Sequence, residues 1–367
     1  MSKKNILILD NSVPAYDMSA GYRTADMYID VFLDLGLNVT LFPLDFLKTE
    51  PYYSYYKNKS VEILAGEQFK KNHKKWIKEN GKNIDFILLN TPRAIRYINL
   101  LKKYTNATII YHGRDMHFVR LYELFKINKS FKSLFQSAIF YFIEKYLYKK
   151  SDVFLSVSLK EVKKIKEIVP EIKAYYHPVF YYKKFNEPII DFSNRNNLLF
   201  VGAKHWPNID AIKWFGNEIM PIVNKSNRDI KLIVVGNLPE NLQEQIKNNS
   251  IIFTGKISEE KLEKLYKNVK LVVIPLRFGA GVKGKTIEAM YYGLPIVATS
   301  FALEGLPGNV EKIIKPIDNA NDFANKVLEI YNDDEYNYEI SKNFNEYIKK
   351  YFSYEQALSV IKNILNI

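Results

Sequence analysis

Short apolar runs recur along this chain, separated by longer stretches in which apolar residues return every three or four positions. Ile6–Leu9, Asn38–Phe42, Phe86–Leu89, Thr108–Tyr111 and Val153–Val157 form a first series. Runs so short and apolar predict buried strands, and the periodic stretches between them, such as Ala25–Leu35 and Ser158–Val169, predict helices. After a polar, proline-containing stretch, residues 178–197, a second series follows: Leu198–Val201, Lys231–Val235, Ile251–Phe253, Leu271–Ile274 and Pro295–Ala298. Strand–helix alternation of this kind predicts an α/β fold of two doubly wound, Rossmann-like domains with parallel sheets. The expected division is 1–180 and 196–350. A last helix over 351–367, opened by Ser353 and Gln356 at capping-box spacing, is expected to pack back toward the N-terminal domain. Ligands of such sheets bind outside the carboxyl ends of the strands, so two sheets facing each other predict a cleft.

Composition narrows this picture. The chain has 367 residues, 47% of them hydrophobic and 25% charged, as expected of a globular protein. It has no cysteine, which removes disulfides, Cys-ligated zinc and thiol nucleophiles. The run Ile6–Leu9 is too short for a signal peptide's apolar region. Leu134–Tyr148 is interrupted by Gln136, Ser137, Glu144 and Lys145, so no transmembrane helix is expected. The formal net charge of +13 favours an anionic partner without choosing among nucleic acid, membrane and phosphorylated substrate.

The segment Arg277–Thr299 carries the chemistry. A strand ends at Pro275, a loop holds Gly279, Gly281 and Gly284, and a helix is predicted over Lys285–Tyr292. Glycines admit a ligand close to the backbone, and a helix N-terminus offers free N–H groups and partial positive charge. Arg277, Lys283 and Lys285 add full charges, so the segment suits a diphosphate. Glu288 follows Lys283 by five residues, roughly 7 Å along a helix, about the distance from a diphosphate to its ribose hydroxyls.

With Gly293, Pro295, Thr299, Glu304 and Gly305, these residues resemble the donor-binding segment of glycosyltransferase family 4. The resemblance implies the GT-B fold, a nucleotide-sugar-binding C-terminal domain, an acceptor-binding N-terminal domain, retention at the anomeric carbon, and neither metal nor other cofactor. It gives Lys283 and Arg277 the diphosphate and Glu288 the ribose. Many members place a second glutamate where Ala280 stands, so the chain resembles the G-x-G-x-K branch found among bacterial surface-polysaccharide enzymes. Phe200-Val201-Gly202 with Trp206-Pro207-Asn208 resembles the entry of the same domain, except that Ala203 stands where many relatives have arginine. Gly255 and Ile257, at a strand end, resemble the site that reads the base.

In the N-terminal half, Asp10–Pro14 with Asp17, Ala20 and Gly21 forms a small-residue strand-end loop, resembling one at which some relatives bring the donor close. His112, Asp115 and His117 follow the strand Thr108–Tyr111, and either histidine matches the family's reaction-centre position. Residues 126–150 interleave aromatic rings with lysines, and residues 52–76 are similarly aromatic and basic. Such stretches suit either an anionic bilayer surface or a core-facing helix with a solvated lysine face.

The expected partners are therefore a UDP-, GDP- or dTDP-sugar, a glycan or lipid-linked acceptor and, on one of those two readings, a membrane surface. The expected location is the cytoplasm, with peripheral attachment to the inner membrane face. An epimerase or phosphorylase of the same fold would use the same donor residues. A nucleic-acid-binding protein would fit the charge, but no such motif occurs in the sequence and nucleic acid is not expected.

Overall fold

A computed structural model of the chain describes residues 3–279 and 281–367. Residues cluster into two compact units, Met1–Tyr181 with Glu355–Ile367, and Tyr182–Tyr354. Ala280, the position of the absent glutamate, lies outside the described residues.

The first unit has strands β1 (Asn5–Asp10), β2 (Asn38–Pro43), β3 (Glu62–Ile63), β4 (Phe86–Leu89), β5 (Thr108–Tyr111), β6 (Val153–Ser156) and β7 (Lys173–Tyr176). They form one parallel sheet in the order β3-β2-β1-β4-β5-β6-β7. Its helices are α1 (Ala20–Asp34), α2 (Tyr52–Asn58), α3 (Glu67–Asn80), α4 (Ile98–Tyr104), α5 (His117–Asn128), α6 (Phe131–Lys150) and α7 (Leu159–Ile168). Leu7, Leu9, Ile87, Leu89, Ile109 and Phe154 are at most 2% exposed, as strands covered on both faces require.

The second unit has β8 (Asn196–Val201), β9 (Leu232–Val235), β10 (Ile251–Gly255), β11 (Val269–Ile274) and β12 (Ile296–Ala298), all parallel, in the order β10-β9-β8-β11-β12. Its helices are α8 (Trp206–Trp214), α9 (Met220–Ser226), α10 (Glu259–Asn268), α11 (Gly284–Tyr291), α12 (Ser300–Leu303), α13 (Ala320–Tyr331) and α14 (Asp334–Tyr351). The last helix, α15 (Tyr354–Leu365), falls almost wholly in the first unit, where Ile364 shares a cavity wall with Val153, Val169 and Tyr175.

Each predicted strand forms. Two further ones, β3 and β7, lack an apolar run: β3 has two residues, and β7 lies at the sheet edge with Lys173 exposed. Helix α1 begins five residues earlier than its apolar period, because Ser19 caps it by accepting from the Tyr22 N–H. Gly21 therefore sits in the first helical turn, not in a loop.

Two strand-order reversals matter for function. In the first unit β1 lies between β2 and β4, and in the second β8 lies between β9 and β11. At such switch points the loops diverge and leave a crevice at the carboxyl ends.

Candidate active site

In the second unit the crevice is bordered by the loops after β8 and β11. The loop after β11 needs left-handed backbone at Gly279 (φ 124°) and Gly281 (φ 78°), which side chains with a Cβ resist. Lys283 is the N-cap of α11, and its ammonium folds back onto the carbonyls of Gly279 and Gly281. Helix α11 then points its free N–H groups into the crevice end of the unit. It stops at Gly293 (φ 66°), where the Leu294 N–H reaches back to the Ala289 carbonyl at 3.0 Å. Thr286 donates to the Ala302 carbonyl (3.0 Å) and Thr299 to that of Leu276, which fixes α11 and α12 to the end of β11.

Lys285 is held 2.6 Å from Asn208 Oδ1, with its ammonium 4.2 Å from the centre of the Phe200 ring. Burial, with Lys283 as a like-charged neighbour, pushes the amine down to about 7, while Glu288 opposes the shift. Glu288 is half-buried on the same helix. Arg277 is exposed and pairs through two bonds, 2.9 and 2.6 Å, with Asp210 on α8. That pairing raises its pKa further and holds the guanidinium in one orientation. Across the crevice, a Cβ on Gly236 would stand 2.0 Å from the Gly202 carbonyl oxygen, so the ends of β8 and β9 approach as only glycine permits. Gly255 ends β10 at φ 68° and Ile257 follows it half-buried. The structure thus gathers Arg277, Gly279, Gly281, Lys283, Lys285 and Glu288 on one loop and helix start. Asn208 and Asp210, which hold two of the cations, have no role that the sequence alone suggests.

The first unit builds a separate polar chain at its own switch point. Asp10, Asn90 and His112 are the residues at or just beyond the ends of adjacent strands β1, β4 and β5. Arg114 donates to Asp10 Oδ1 (2.6 Å), Asn90 donates to Asp10 Oδ2 (2.6 Å), and His112 Nδ1 donates to Asn90 Oδ1 (2.7 Å). Burial pushes the Asp10 carboxyl above its ordinary value, against the pull of Arg114 and Asn90. His112 is 2% exposed, and burial with His177 nearby pushes it down to about 3. Its ring is therefore neutral, with the proton on Nδ1 and a lone pair on Nε2, which has no partner among the described atoms. Arg114 adopts φ 69°, rare for a side chain of its size, and Gly21 leaves room for it.

His117 and Asp115 lie elsewhere. His117 Nδ1 contacts Glu144 (3.0 Å) and Asp115 (3.2 Å), its ring stacks on Phe140, and Asp115 also pairs with Arg120 (3.1 Å). Burial alone would lower the His117 pKa, but the two carboxylates outweigh it and raise it. Asp10 belongs to the strand-end loop that the sequence singles out, whereas Asn90 and Arg114 carry no expected role. Asp10 closing an apolar run was a legible signal, whereas the backbone of Arg114 was not.

Sequence comparison places the second unit. Residues 195–333 match the family profile described as Glycosyl transferases group 1. An uncharacterized 44.6 kDa protein in the cps region of Klebsiella pneumoniae is 34% identical over 141 residues, 36% of this chain and 34% of that one. The chain thus aligns with about a third of that relative. Similar solved structures cover both units. HepE of Anabaena, in complex with UDP and glucose, is 15% identical with a TM-score of 0.68 over 99% of both chains. The sucrose-phosphate synthase of Thermosynechococcus elongatus is 16% identical with a TM-score of 0.71 over 99% of this chain and 98% of that one. The fold is GT-B, two Rossmann-like domains in one chain.

Among the described residues no three or more His, Asp or Glu side chains gather as metal ligands would. No described helix is long and apolar enough to cross a membrane.

Proposed function

We propose that this chain is a glycosyltransferase of the family 4 type. It moves a sugar, with retention, from a nucleoside-diphosphate sugar to a hydroxyl of a glycan or lipid-linked acceptor. The observation that carries the reading is the glycine loop and start of α11 at the switch point of the second unit, with Lys283 as its N-cap, Lys285 in its first turn and Glu288 in its second. The UDP bound by HepE supports a UDP-sugar as the first donor to test, and the cps-region relative supports a role in bacterial cell-surface polysaccharide synthesis. The work is assigned to the cytoplasmic side.

In this reading the glycosidic C–O bond to phosphate breaks first, and negative charge grows on the departing diphosphate. The α11 N-terminus, Arg277 oriented by Asp210, and Lys283, once its ammonium leaves the Gly279 and Gly281 carbonyls, meet that charge and lower the barrier. No metal has a part in the step. Glu288 accepts from the ribose hydroxyls. The acceptor hydroxyl attacks from the face the diphosphate leaves, and a phosphate oxygen takes its proton. Of the two histidines, this reading assigns the family's reaction-centre position to His112, while His117, held by Glu144 and Asp115, positions α5.

Incubating the purified protein with UDP-, GDP- and dTDP-sugars and glycan or lipid-linked acceptors, with product mass measured, tests the proposal. A glycosylated acceptor with the anomeric configuration of the donor supports it. An isomerised nucleotide sugar, or none consumed, refutes it.

A further inference from the structure

Helix α6 is turned inside out along its first three turns. Its small polar residues face inward: Ser133 and Ser137 are buried, and Ser137 donates to the Phe118 carbonyl at 2.7 Å. Its large rings face outward: Phe131 is 81% exposed, Phe135 69% and Phe142 70%, with Ile139 at 42%. These four positions fall within one stripe of the helix, about 16 Å long from first to last. The helix cannot roll to hide them. Further along it Glu144 is fully buried and accepts from the His117 and Phe118 N–H groups at the start of α5 (3.1 and 3.2 Å). Rotation would strand that carboxylate and both serines without partners.

The stripe continues into an open groove of about 950 Å³ between α5 and α6, lined by Phe118, Val119, Leu134, Ala138 and Tyr141. An apolar surface of this kind is costly in water and calls for a covering partner. Charge identifies the partner. Residues 117–150 carry seven basic side chains and two acidic ones, and one of the two acids is the buried Glu144. Lys129, Lys132 and Lys149 are exposed. A second copy of this chain would bring the same lysines against one another. A free anion would leave the rings in water.

We propose that the outer face of α6, with the groove beside α5, is a membrane-docking surface for an anionic bilayer. The helix lies in the interface plane, with Phe131, Phe135, Ile139 and Phe142 among the acyl chains and the lysines at the headgroups. Residues 52–76, similarly aromatic in sequence, take no part, because none of their rings is exposed. The proposal does not depend on the catalytic reading, since its test measures attachment alone.

The test is co-sedimentation of the full chain with phosphatidylcholine vesicles, with and without about 30 mol % phosphatidylglycerol, at low and high salt. The expected result is binding that requires the anionic lipid and weakens with salt. It should fall at least tenfold in F131S/F135S/F142S and in K129E/K132E/K149E, both checked for an unchanged thermal melt. Should the triple serine variant misfold, Phe135→Trp supplies a second reading: the emission of the introduced indole should shift to the blue on anionic vesicles. Equal binding of wild type and both variants, or no anionic requirement, overturns the proposal. So does an unshifted emission in the Phe135→Trp variant, or a wild-type dimer that the serine variant dissolves, which would assign the face to a second copy.

Discussion

Lys285 shows how one residue's surroundings set its chemistry. Its amine is pushed down to about 7 by burial and by Lys283, so near neutral pH it is only partly charged in the free protein. A diphosphate at the α11 N-terminus would favour the charged form. Donor binding should therefore take up protons at pH 8. Calorimetry of UDP binding in buffers of different ionisation enthalpy should detect this, and Lys285→Met should remove it. The same shift predicts a stability trend. An amine depressed from its ordinary 10.5 to about 7 makes the unfolded chain bind more protons in that window. Its contribution to stability should thus decline as pH falls from about 10.5 through about 7, then level off. His117 behaves oppositely. Its pKa is raised, so its contribution is present below the ordinary histidine value and lost as pH rises through the raised one. Replacing it with Asn should remove that decline from the melting temperature as pH rises above the ordinary histidine value.

At the scale of elements, α11 is the piece on which the functional reading depends, and its end is as constrained as its start. A Cβ on Gly293 would come 2.4 Å from Ser341 Oγ, which also accepts the Ile189 N–H. Added to the cost of φ 66°, this predicts that Gly293→Ala destabilises the second unit by about 2 kcal/mol or more, read from chemical denaturation. Much of α11 was legible in sequence, because glycine spacing, basic residues and a helix period are local signals. The strands were legible for the same reason: a parallel strand buried on both faces must be apolar throughout. What stayed hidden depends on distant residues. The Asp10–Asn90–His112 chain joins the ends of three strands that only the sheet order makes neighbours. The orientation of α6 was likewise unreadable. Both of its faces carry apolar rings in sequence, and only Ser137 and Glu144 bonding to α5 decides which face is inside. The two histidines in one strand-end loop separate for a similar reason: His112 directly follows β5, whereas His117 starts α5 and is held by Glu144.

At the scale of the molecule, the chain returns to its first unit to finish it. Helix α15 buries Ala357, Ile361, Ile364 and Leu365. Ile361 is fully enclosed, so Ile361→Ala should cost about 2–5 kcal/mol. Hydrogen exchange should show the loss in residues 3–181, more than in 182–354, since the helix clusters with the former. On the two proposals the net charge of +13 would serve a crevice lined by Lys283 and Lys285 in one unit and a lysine-edged apolar face on the other. The central claim, however, concerns the crevice alone. It is tested most directly by measuring sugar transfer in Lys283→Ala and Glu288→Ala beside wild type, with circular dichroism confirming the fold. The account predicts that turnover falls at least a hundredfold in each, equivalent to about 2.7 kcal/mol or more of lost transition-state stabilisation. Wild-type-like turnover in either variant would contradict it.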